Sequence, residues 1–91
     1  MANLEEMREQ IDKIDAEIIE SFKKRMNLSA EIAKYKKENN LPVLDEKREK
    51  EKLEGIAKNV DENMSAFASK LYLTLADLSR DYQNKINLGD K

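Results

Sequence analysis

No proline or glycine interrupts the chain before Pro42. Within that span apolar residues fall at Leu4, Met7, Ile11, Ile14 and Ile18, then at Leu28, Ile32 and Tyr35. Steps of three and four in alternation are the seam of a helix that packs against other helices. Carrying the same steps from Ile18 to Leu28 lands on Ser21 and Arg25, both polar. A helix from about Asn3 to Glu38 is roughly 54 Å long. A compact monomer of 91 residues has a radius of gyration of about 12 Å and is only about 30 Å across. The helix therefore overhangs a single-chain globule. Its apolar stripe needs a partner, and a second copy of the chain is the simplest one.

Charged residues make up 40% of the sequence and aromatics 5%, with two Gly and one Pro, so an all-α protein is the natural class. No segment alternates apolar and polar with β-branched enrichment, which argues against strands. The length allows one domain, residues 1–91, with a thin core that again favours oligomers. Net charge is −2 with both signs interspersed, an argument against nucleic acid or anionic membrane as the main partner. There is no apolar run of membrane-spanning length and no signal peptide, so a cytoplasmic protein is expected. The chain has no Cys and no His. It thus lacks a thiol nucleophile, the commonest general base and the commonest metal ligand, and neither metal nor cofactor is expected.

The first helix should begin at Asn3 as N-cap, with Glu5 and Glu6 in its first turn. It should end around Glu38 to Asn40, because the residue before Pro42 avoids the helical region. Val43 and Leu44 are placed to tuck the following loop onto the core. Asp45 caps a second helix, about Glu46 to Lys58, which opens on the unbroken charged run Asp45 to Lys52 before Leu53, Ile56, Ala57 and Val60. Gly55 weakens it by about 1 kcal/mol against Ala. Asn59 to Asn63 reads as a short polar connection. The third helix runs from about Met64 to Ile86, capped by Asp61 or Asn63 and closed by Leu88-Gly89. It has two apolar stripes, Met64, Phe67, Leu71, Leu78, Tyr82 and Ala68, Tyr72, Leu75, Ile86, and so should touch two neighbours.

Several polar residues interrupt these faces. Lys36 follows Arg25 by eleven positions, which returns to within about 20° of the same face some 16 Å further along. With Ser29 and Ile32 between them, the two long side chains can converge on a small anion. The alternative is that a straight helix drifts off the heptad, Phe22 and Met26 take over the core and Arg25 is solvated. Glu49 extends the line of Leu53, Ile56 and Val60 by a turn, with Asp45 a turn earlier. A carboxylate then continues a buried face, unless the stripe simply stops. Ser79 and Gln83 lie one turn apart on an otherwise apolar face, where a buried amide must find partners. A helix–helix hydrogen bond is the ordinary reading. Arg8 is about 25 Å along the first helix from Arg25 and about 100° around it. The two cannot meet on one small ligand within a chain, but Arg8 of an antiparallel partner can reach it. Otherwise Arg8 makes an i,i+4 pair with Asp12 worth a few tenths of a kcal/mol.

In order, Met7-Arg8-Glu9-Gln10-Ile11-Asp12-Lys13-Ile14-Asp15, Arg25, Ile32-Ala33-Lys34-Tyr35-Lys36, Pro42-Val43-Leu44-Asp45, Arg48-Glu49, and Ser79 with Gln83 form a set. Over nearly its whole length the chain resembles the all-helical chorismate mutases, the AroQ class. The resemblance implies three helices per chain with a very long first helix, in an intertwined helical homodimer with two shared sites. It implies rearrangement of chorismate to prephenate on the route to phenylalanine and tyrosine, without a cofactor. Arg25 and the partner subunit's Arg8 would hold the two substrate carboxylates, with Ser79 assisting. Lys36 and Gln83 would donate to the ether oxygen. Glu49 would accept from the ring hydroxyl, with Asp45 and Arg48 shaping that end. Two other functions fit less of the set: an isochorismate–pyruvate lyase of the same fold, and a non-enzymatic helical interaction module.

Overall fold

The computed structural model describes residues 3–89, with side chains described through Asn87. Three helices follow one another: α1 (Leu4–Glu38), α2 (Glu46–Lys58) and α3 (Glu62–Gly89). No strand occurs among the described residues, and no helix there is long and apolar enough to cross a membrane.

The first two helices have the boundaries expected, and their ends show why. The Asn3 side chain accepts the Glu6 N–H at 2.9 Å, satisfying one orphan donor of the first turn. At the other end Asn40 takes a left-handed conformation, φ 56°. The Leu41 N–H then reaches back to the Lys36 carbonyl at 2.7 Å, and the Asn40 N–H to that of Lys37 at 3.4 Å. These paired bonds are a Schellman stop, so Asn40 terminates α1 before Pro42 has any need to. Asp45 caps α2, accepting from the Arg48 N–H at 3.0 Å.

α3 departs from expectation at both ends. It starts at Glu62, not Met64, so the connection is only Asn59 to Asp61 and Asn63 lies inside the helix. The Asp61 carbonyl accepts the Met64 N–H at 2.8 Å, closing the first turn. At the far end Leu88 and Gly89 continue the helix instead of closing it.

α3 is the hub: α1 and α2 each pack on it and not on each other. The molecule is a flat, elongated layer of 57 × 29 × 14 Å, with a radius of gyration of 16.6 Å where a compact chain would have about 12 Å. Its interior is inverted. The buried residues are Ala33, Tyr72 and Ala76 together with polar Ser29, Ser79 and Gln83. The large apolar residues stay out: Leu4, Met7, Ile11, Ile14 and Ile18 of α1, and Met64, Phe67, Leu71 and Leu78 of α3. α3 touches two neighbours, as its two stripes suggested, although Met64, Phe67, Leu71 and Leu78 of the first stripe stay exposed and only Tyr82 is half-buried. Val43 is half-buried as expected, but Leu44 is exposed and does not anchor its loop. The chain exposes 7785 Å², where a compact monomer of its mass exposes about 5,500 Å².

Candidate active site

Small side chains make the pocket. Ser29 and Ala33 on α1, and Ala76 and Ser79 on α3, are buried. Short side chains let two helix backbones approach closely and leave room beside them. The space that opens toward α2 is about 350 Å³, at the lower end of the range for small-molecule sites.

Every candidate of the sequence except Arg8 lines this pocket. α1 contributes Arg25 and Lys36. Arg25 is half-buried, and its Nη1 donates to the Ser79 hydroxyl and to the Leu75 carbonyl at 3.3 Å. It is neither a solvated residue nor part of an apolar seam, although Phe22 and Met26 are also half-buried nearby on α1. Lys36 Nζ donates to the Val43 carbonyl at 2.7 Å. The Schellman stop makes that contact possible by turning the chain back across the last turn of α1. An ammonium has three donors, so two remain for the pocket.

The first turns of α2 bring Asp45, Arg48 and Glu49 to the same space. Glu49 is half-buried, in line with Leu53, Ile56 and Val60, so the face does continue into a carboxylate. On α3, Ser79 and Gln83 face the cavity one turn apart. Gln83 is 6% exposed, and its amide oxygen is buried with no hydrogen-bond partner. Such an orphan acceptor costs about 1–3 kcal/mol.

Arg8 lies in the exposed first half of α1 and does not line the pocket. Four polar lining residues were not among the candidates: Ser29, Lys52, Tyr72 and Arg80. Ser29 was visible as the residue between Arg25 and Lys36. Lys52 and Arg80 were legible from spacing, three positions after Glu49 and three before Gln83, which puts each on its neighbour's side of the helix.

The charge of the pocket opposes that of the chain. Five cations line it, Arg25, Lys36, Arg48, Lys52 and Arg80, against two carboxylates, Asp45 and Glu49, for a balance of +3. The whole chain carries −2. A concave site of one sign focuses its field on ligands of the other, so the arrangement suits a small polyanion. The described residues hold no cluster of carboxylates of the kind that binds a metal.

A family model described as chorismate mutase type II matches residues 7–84. A chorismate mutase of Methanocaldococcus jannaschii is 36% identical over 66 residues, which are 67% of each chain. No solved structure matches. Matched through the helices that build the pocket, the chain belongs to the chorismate mutase type II family and is an enzyme of the isomerase class.

Proposed function

We propose that this pocket binds chorismate and rearranges it to prephenate. The observation that carries the reading is the +3 pocket of an acidic protein. The reaction is a [3,3] shift: the ether C–O bond breaks as a C–C bond forms, and no atom enters or leaves. It calls for no nucleophile, metal or redox partner. It needs a flexible dianion folded into a chair-like conformer, and stabilisation of negative charge growing on the ether oxygen.

Arg25, steadied by Ser79 and the Leu75 carbonyl, binds one substrate carboxylate in bidentate fashion. Lys36, held at one hydrogen by Val43, and the amide of Gln83 donate to the ether oxygen. One such fixed donor is worth about 3–4 kcal/mol in an acyl-transfer oxyanion hole, and the same order applies here. Glu49 accepts from the ring hydroxyl, with Asp45 and Arg48 beside it.

The second carboxylate falls to the partner subunit's Arg8. The support for a homodimer is area: the surface in excess of a compact monomer is about 2,300 Å² per chain, within the range of obligate interfaces when doubled. The exposed stripe of α1 is where that area lies. We place the reaction in phenylalanine and tyrosine synthesis in the cytoplasm, as the family resemblance implies.

The test is direct. Purified protein given chorismate should consume it, with loss of the ring-diene absorbance and appearance of prephenate. No consumption refutes the reading. Release of pyruvate from isochorismate at a higher kcat/KM than chorismate turnover would make the chain a lyase instead.

A further inference from the structure

α2 packs on α3 through its second half, where Leu53, Ile56 and Ala57 are half-buried, but the turns that reach the pocket precede that apolar face. Its first apolar residue is Leu53, and none of its residues is fully buried. The turns carrying Asp45, Arg48 and Glu49 are charged at every position from Asp45 to Lys52, so they offer no apolar side chain to anchor them. Among the described residues, one side-chain hydrogen bond or ion pair joins α2 to another helix. It runs from Arg80 Nη1 on α3 to Glu49 Oε1. Both side chains are only 27% exposed, and both line the pocket. The other arm of the guanidinium, Nη2, donates to Asp77 Oδ1, a carboxylate one turn back on α3 and 65% exposed. Arg80 is thus braced from outside by Asp77 and grips Glu49 from within.

We propose that Arg80 is a positioning residue for this reaction, acting through Glu49. The inference rests on the reading of Glu49 as acceptor for the substrate hydroxyl. A glutamate in the charged first turns of a helix has three rotatable side-chain bonds, so its oxygens would otherwise sample many places. Arg80 occupies Oε1, which leaves Oε2 as the acceptor and fixes its direction. Its charge also offsets the carboxylate, so Glu49 does not repel the incoming dianion. A point charge supplies the second effect but not the first, whereas the forked guanidinium supplies both. Because Asp77 is braced against the outer arm, the fork is oriented before substrate arrives.

The experiment is a double-mutant cycle read in kcat/KM for chorismate, with circular dichroism and Tm on every variant. Arg80→Leu should lower kcat/KM about tenfold, a coupling ordinary for contacting residues, with helicity retained. Arg80→Lys should recover part of the loss, since it restores charge without the fork. In a Glu49→Gln background Arg80→Leu should cost less than about twofold. If Arg80→Leu unfolds the chain, Arg80→Gln takes its place in the cycle. Equal losses in both backgrounds would overturn the proposal, because Arg80 would then touch substrate or support the fold independently of Glu49. No loss in the parent background would overturn it too. A parent enzyme that turns over chorismate while Glu49→Gln is fully active sinks the role of Glu49 and the proposal with it. A parent that does not turn over chorismate refutes the function itself, a separate result.

Discussion

From Leu4 to Ser21 every residue of α1 is exposed, whereas from Phe22 to Glu38 the same helix buries Ser29 and Ala33 and half-buries Arg25 and Lys36. The two halves share one apolar rhythm and one continuous backbone. They differ in what lies opposite. α3 covers the second half, and nothing among the described residues covers the first. The covered half buries small and polar residues and makes a pocket; the uncovered half presents Met7, Ile11, Ile14 and Ile18 to solvent. Apolar periodicity therefore does not by itself mark a buried face: Leu28, Ile32 and Tyr35 in the covered half are also exposed. In the proposed function, the reactive groups sit where the helix is covered, and association is assigned to where it is not.

The division can be broken by mutating each half and reading turnover and association separately. In the covered half, Arg25→Ala or Lys36→Ala should each lower kcat about 10²–10³-fold, the order for losing a preorganised donor. Sedimentation and circular dichroism should stay unchanged; full activity in either variant would break the assignment. On the facing helix, Gln83→Glu should be nearly inactive at neutral pH and gain activity as pH falls. Only the protonated carboxyl can donate to the ether oxygen, so a flat pH profile contradicts that role.

In the uncovered half the effects should fall on association. Ile14→Asp should weaken the dimer by at least about 2 kcal/mol, seen by analytical ultracentrifugation as dissociation at lower concentration, with turnover lost in parallel. In a true monomer that position is already solvated, and the change would do nothing. Equal amounts of Arg8→Ala and Lys36→Ala chains, each inactive alone, should regain about a quarter of parental activity on mixing. Half the dimers are then mixed and each has one intact site; no recovery after confirmed subunit exchange counts against a shared site. At the seam between the halves, Lys23 pairs with Glu20 at 2.9 Å, both side chains more than 60% exposed. Lys23→Ala should shift stability by under about 1 kcal/mol and leave turnover alone, the smallest effect of the series.

Much of this molecule is legible in its sequence. Asn3 and Asp45 cap the helices they were expected to cap, and the spacing of Arg25 with Lys36, and of Ser79 with Gln83, puts each pair on one helical face. The start of α3 was misplaced because Glu62 and Asn63 are as ordinary in a loop as in a first turn. The partner of Arg80 was hidden by a local choice: Asp77, three residues back, already explains an arginine there. Glu49 is thirty-one residues away in sequence, a pairing that no local spacing reports.

The sequence by itself determined the helices, their caps and which side chains share a face, because propensity, capping and the 3.6-residue repeat act over a few residues. Only the tertiary structure decided which face another helix covers. That choice turned Ser29, Ser79 and Gln83 into the interior, left Ile11 and Ile14 outside, and set Arg80 against Glu49. Covering a face is a long-range packing event. In a chain too thin to enclose its apolar residues, the close helix contacts went mostly to small side chains, and most of the bulky apolar ones stayed exposed.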